Sequence, residues 1–177
     1  MLNNPHTKYI GIDYGKKRTG ISISDYDKVV SFPLETIETN NLIDFLKDLS
    51  RKENIEKIII GKPLKLNNTV HDLEKDIIDL IKSLNKYLPD ITVERIDERY
   101  TSKISKKIID QLYSKKKIRM DKSIIDKISA SLILESYLIK MQKVLEMLQQ
   151  VQKVLLLQLE QNIKMLLLLV HLTLKDF

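Results

Sequence analysis

Two β-branched runs, KYIGIDYG at residues 8–15 and RTGISISD at 18–25, are separated by a pair of lysines, and they constrain the fold more than any other feature of the chain. Ile, Thr, Tyr and Val favour extended backbone, and Gly15 and Gly20 punctuate the runs, so a β-hairpin is predicted. The first run stops at Asp13. A carboxylate there needs compensation, because burying even a neutral polar group without a partner costs about 2 to 7 kcal/mol.

Downstream the apolar period alternates between two values. A third strand is expected over 27–37, with Pro33 pushing its end toward an edge. Asn40 and Asn41 are expected to cap a helix in which Leu42, Phe45, Leu46 and Leu49 recur at helical spacing. EKIIIG, at 56–61, is short and solidly apolar, as in a strand buried on both faces. Thr69 to Asp72 has capping-box spacing, and Leu73, Ile77, Leu80, Ile81, Leu84 and Leu88 form one stripe behind it. ITVERI, at 91–96, reads as a further strand ending in Asp97-Glu98. Thr101 or Ser102 then caps a helix through Leu112, a basic segment follows at 114–122, and a last helix starts near Ser123. Three antiparallel strands followed by helix, strand, helix, strand and helices make an α/β arrangement around a mixed sheet. Its crossovers should be right-handed, and ligands gather outside the carboxyl ends of such strands, where the acids fall.

Composition then narrows the chemistry. The 177 residues divide into a domain at 1–138 and a Leu-, Gln- and Lys-rich tail at 139–177. In the tail Val144, Leu148, Val151, Leu155, Leu159, Leu166 and Val170 trace a helical stripe. Its longest uninterrupted apolar run, Met165 to Val170, is far short of the ~20 residues of a membrane span. A homodimer or another helical partner is the expectation for it. There is no Cys, which excludes disulfides, zinc-thiolate sites and thiol nucleophiles, and His6, His71 and His171 have no metal-ligand spacing. The net charge of +6 suits a polyanionic partner. No apolar leader precedes the hairpin, so the expectation is a cytoplasmic protein.

Three acids fall near strand ends or on a facing helix: Asp13, one of Asp97 and Glu98, and Asp126. On the last helix Ser129, Ala130 and Ile133 share the face of Asp126, and their small members let that helix lie close to the sheet. Converging carboxylates raise one another's pKa and destabilise the fold unless a cation intervenes. Oxygen-only ligands favour Mg²⁺ or Mn²⁺, and a pair of such ions fits in-line phosphodiester hydrolysis without a protein nucleophile. The plainer alternative is that each acid is only a cap or turn residue. GIDYGKKRTG matches neither phosphate-binding glycine pattern, and it joins two strands where a phosphate loop would open a helix. An actin-type ATPase also starts with such a strand, but it needs a second, duplicated domain.

GIDYGKKRTGISISD, IIIGKPLKLNNT, DERYTS and DKSIIDKISASLILESYL, in this order and spacing, resemble the YqgF (RuvX) family over about residues 7 to 138. Its members are described as Holliday junction resolvases and as nucleases that mature the small-subunit ribosomal RNA precursor. The resemblance implies a ribonuclease H-like fold with a five-stranded mixed sheet. It also implies catalytic, metal-holding carboxylates at Asp13, at Glu98 or Asp97, and at Asp126. Glu98 is preferred for its longer reach. Arg18 and Thr19 are implied beside the site, as is the Gly61 to Leu64 stretch, and Arg18 could grip a backbone phosphate. Lys115, Lys116, Lys117, Arg119 and Lys122 could then clamp a nucleic acid in a salt-dependent way. With no Trp and few aromatics, shape or backbone recognition is expected of structured RNA or branched DNA. Tyr100 stands where the family commonly has Leu, and the tail lies outside the family pattern. A nuclease is expected, with maturation of the 5′ end of pre-16S rRNA as its role. Junction resolution and non-catalytic ribosome assembly are the alternatives. The glycines of IGIDYGKKRTG are read as keeping the hairpin slim for an approaching substrate backbone.

Overall fold

A computed structural model describes residues 6–62, 69–97 and 122–175 of the chain. The chain divides into two compact units, Met1–Ile139 and Lys140–Phe177. In the first, β1 (Lys8–Asp13), β2 (Arg18–Ser24) and β3 (Ser31–Glu38) run antiparallel to their neighbours, while β4 (Ile55–Lys62) and β5 (Thr92–Asp97) join parallel to β1. The order across the sheet is β3-β2-β1-β4-β5, a mixed five-stranded arrangement as expected. Helices α1 (Leu42–Lys52) and α2 (Thr69–Tyr87) connect the later strands. Helix α3 (Lys122–Lys175) contributes residues 122–139 to the first unit and the described residues of the second. The helix expected after Thr101 and the basic segment before Lys122 lie outside the described residues.

Strand alternation sorts the sheet into two faces. Ile10 and Ile12 of β1, Ile58 and Ile60 of β4 and Ile21 of β2 pack with Leu42 and Leu46 of α1 and with Ile77, Leu80 and Leu84 of α2. Tyr9, Ile59 and Ile96 turn the other way, onto Ile133, Leu134, Tyr137 and Leu138 of α3. Asp13 has the parity of Tyr9 and so belongs to the α3 face. Near the opposite ends of the parallel strands that face is pinned by a polar cluster. Lys57 Nζ donates to Glu94 Oε1 at 2.5 Å and to the Tyr137 hydroxyl at 2.9 Å, and that hydroxyl donates to Glu94 Oε2 at 2.8 Å.

Two local expectations need correction. The third strand starts at Ser31 rather than 27, because Asp25 Oδ1 accepts from the backbone N–H of both Val29 and Val30 and Lys28 turns through φ 57°. Those residues form a turn, and Pro33 sits inside the strand, tolerated because β3 is the sheet edge. No asparagine side chain caps α1. A 3-10 turn over Thr39–Asn41 leads straight into the helix, and Leu42 N–H reaches the Thr39 carbonyl.

Candidate active site

Asp13 ends β1 directly opposite Gly20 of β2. That pairing explains how a helix carboxylate reaches it. A Cβ on Gly20 would lie 1.9 Å from the carbonyl oxygen of Asp126, and one on Gly11 would lie 2.6 Å from Leu134 Cβ and 2.8 Å from the Ala130 carbonyl oxygen. The backbone of α3 therefore occupies the space that two side chains would need. Hydroxyls fix its position along the hairpin. Ser22 Oγ donates to the Ala130 carbonyl at 2.8 Å, Thr36 Oγ1 donates to the Ser123 carbonyl at 2.6 Å, and the hydroxyls of Ser31 and Ser131 meet at 3.0 Å. The slim hairpin is thus shaped for α3, a correction to its reading as room for substrate.

Asp126, so placed, accepts from Arg18 Nε at 3.0 Å on Oδ2, a contact across 108 residues of sequence. The pair is half exposed, with the Arg18 side chain 42% and the Asp126 side chain 27% accessible. Asp13 is different. Burial first, and then the negative charge of Asp126, push its carboxyl up to about 6. Among the described residues its side chain has no hydrogen bond or ion pair. A half-buried, desolvated carboxyl of raised pKa beside a second carboxylate, with oxygen as the donor type, fits a hard divalent cation. Two acids do not complete such a site, and no cluster of three metal-capable side chains occurs among the described residues. Asp97 is the last residue of β5, while Glu98, Lys115, Lys116, Lys117 and Arg119 lie outside the described residues. Lys122, exposed, opens α3.

Thr19 does not join this group. It is fully buried on the other face, its hydroxyl 2.9 Å from that of Thr39, which in turn donates to the Gly15 carbonyl at 2.6 Å. That chain of bonds braces the turn that leads into Arg18, the first residue of β2. The serines and threonine that seat α3 were not singled out from sequence. The signal for them was present in β2, where Ser22 and Ser24 alternate with Ile21 and Ile23 on a strand with both faces covered.

The raised pKa of Asp13 has a measurable consequence without metal. Its carboxyl titrates near 6 folded and near 3.8 unfolded, so between those values the folded state holds the extra proton. The cost of its charge is present above pH 6 and is relieved as pH falls toward 4. Glu74 works in the opposite direction, because hydrogen bonds from Arg95 hold it below the usual carboxylate range. The contribution of Asp13 is therefore read as a difference. In EDTA, urea unfolding should show Asp13→Asn to be more stable than the parent at pH 7.5 by about 3 kcal/mol, with the gap narrowing to about 1 kcal/mol at pH 4.5 and closing below pH 4. A gap independent of pH would contradict the assignment.

Comparison with known proteins places this geometry. A family model described as "RuvX: Holliday junction resolvase" matches residues 7–140. A protein of Bacteroides fragilis (strain YCH46) named "Putative pre-16S rRNA nuclease" is 42% identical over 132 residues, covering 75% of this chain and 96% of that protein. One of the same name from Phocaeicola vulgatus is 39% identical over 132 residues, 75% of this chain and 95% of its own length. Among solved structures, T. thermophilus RuvC in complex with a Holliday junction substrate superposes with a TM-score of 0.51 at 10% identity, over 74% of this chain and 92% of that one. At that identity the likeness is one of fold, and the fold is ribonuclease H-like.

Proposed function

This chain belongs to the RuvX family and is a nuclease, and from that premise we propose that it hydrolyses phosphodiester bonds with divalent metal in maturing the 5′ end of pre-16S rRNA. The observation that carries the chemistry is the approach of Asp126, across the Gly20 contact, to the desolvated Asp13 carboxyl, which has no partner among the described residues. The choice of RNA rests on the naming of relatives that match over nearly their whole length at about two identities in five. The DNA-bound neighbour shares the fold at 10% identity and so does not outweigh them.

Asp13 and Asp126 would hold the metal, joined by Glu98. Of the two adjacent acids, Glu98 is preferred for the longer reach of its side chain. Asp97 is the alternative ligand. Bound Mg²⁺ or Mn²⁺ would supply Lewis acidity at the phosphodiester. The protein's own part is positional. The surrounding protein desolvates the Asp13 carboxyl, and the close approach of the α3 backbone to Gly20 fixes Asp126. Arg18 engages Asp126 through Nε, which leaves guanidinium donors to hold a phosphate. Lys115, Lys116, Lys117, Arg119 and Lys122 precede Asp126 in the chain and would clamp the nucleic-acid backbone.

The test is a competition. Purified protein with Mg²⁺ is given precursor 16S rRNA carrying its 5′ extension, together with a four-way DNA junction. Cleavage of the RNA, with the junction left intact over the same period, is the expected result. Cleavage of the junction alone would make the protein a resolvase. Tight RNA binding with neither substrate cut would mark it as an assembly factor.

A further inference from the structure

The second unit, Lys140–Phe177, is helical through Lys175 and displays its large apolar side chains to solvent, with Leu148 60% and Leu155 54% accessible. A helix of this kind draws most of its stability from covering such a face. Its sequence says what covers it. Counting alternate steps of three and four from Met141 meets Val144, Leu148, Val151 and Leu155, then Gln158 and Asn162, and apolar residues again from Met165. That is a heptad seam interrupted at two successive positions by polar residues. All five charged residues from Met141 to Lys164, namely Lys143, Glu146, Lys153, Glu160 and Lys164, fall away from the seam and outside its flanks. Of the six flanking positions from 145 to 161, four carry Leu145, Met147, Val154 and Leu159, all exposed, and two carry Gln152 and Gln161.

We infer that this face is an interface between copies of this chain, in an assembly of more than two. A heptad seam is self-complementary, since each knob enters a hole made by the same pattern on another helix. Two helices would cover only the seam and leave the apolar flanks in water, whereas three or more bury the flanks as well. The residue order agrees. Leu148 and Leu155 take the first apolar position of the heptad and Val144 and Val151 the second, the reverse of the β-branched-then-Leu order that favours pairs. A lipid surface fits less well. Among the described residues no helix is long and apolar enough to cross a membrane, and the side away from the seam, which also carries Leu156, Leu157 and Ile163, mixes acids with lysines where a surface-bound helix would be strongly basic.

The experiment is sedimentation equilibrium of the full chain. The expected mass is at least three times that of one chain, falling to one in Leu148→Glu/Leu155→Glu and unchanged in Glu146→Gln on the polar face. Far-UV circular dichroism of the parent should also lose helix signal on dilution through the dissociation range, while the double variant shows no such concentration dependence. A parent of one- or two-chain mass would overturn the inference. So would a large mass that survives the double substitution, or a single-chain species that co-sediments with phosphatidylcholine/phosphatidylglycerol vesicles through this face.

Discussion

Asp13→Asn is expected to lower metal-dependent cleavage by about a thousandfold while the protein stays folded. Asparagine keeps the shape of the side chain but loses the charge that would hold a cation. Losing about 4 kcal/mol of the Lewis-acid stabilisation a metal supplies corresponds to a rate factor of 10³. Because the parent carboxyl is buried and pushed up to about 6, the same substitution relieves the metal-free fold. Activity and stability should therefore move in opposite directions, which separates loss of a ligand from damage to the fold. Single-turnover cleavage of the RNA precursor and urea unfolding of the same sample measure both. Retention of more than a tenth of the parent rate in Mg²⁺ would remove Asp13 from the reaction.

Gly20→Ala should fail in the other way, losing stability and activity together. The new methyl would lie 1.9 Å from a backbone carbonyl, and neither β2, paired on both sides, nor α3, pinned by Ser22 and Thr36, can give way alone. Overpacking of this type costs about 1 to 3 kcal/mol. For a protein of this size about 2 kcal/mol lowers Tm by roughly 4 to 8 °C. Relief comes only by displacing the first turns of α3, which carry Asp126, and a shift of about 1 Å at a reacting group can cost a hundredfold in rate. Calorimetry and the cleavage assay report the two effects. An unchanged Tm would show that the contact between β2 and α3 is looser than this geometry requires.

How much of this was legible in the sequence differs from residue to residue. The hairpin, the buried strand over 55–62 and the apolar stripe of α2 followed from local periodicity, because each buries a face whose spacing is written in consecutive residues. Asp13 was legible as an anomaly, a charge ending an apolar run. Its nearness to Asp126 was suggested only by order and spacing of motifs, since nothing local links residues so far apart. Gly20 was visible but misread. A glycine's sequence neighbours do not tell whether the missing side chain makes room for a ligand or for another element's backbone, and here α3 takes the room. The start of α1 was misplaced for a related reason: Asn40 and Asn41 have good capping chemistry, but the 3-10 turn before the helix had already bonded the Leu42 N–H. The Lys57–Glu94–Tyr137 cluster joins three elements distant in sequence and carries no short-range signature.

That cluster and the Ser22 contact hold α3 at separate points, with Asp126 beyond them toward its N-terminus. One residue inserted or deleted between Asp126 and Ala130 would turn the carboxylate, and the Ser123 carbonyl that Thr36 holds, about 100° around the helix axis relative to those two anchors. Between Ala130 and Tyr137 the same event would set the two anchors against each other. The stretch should therefore be intolerant of changes in length even where it tolerates changes in side chain. Past Ile139 the second unit begins, and the family match ends at residue 140. A chain cut back to residue 140 is therefore expected to keep the carboxylates in place.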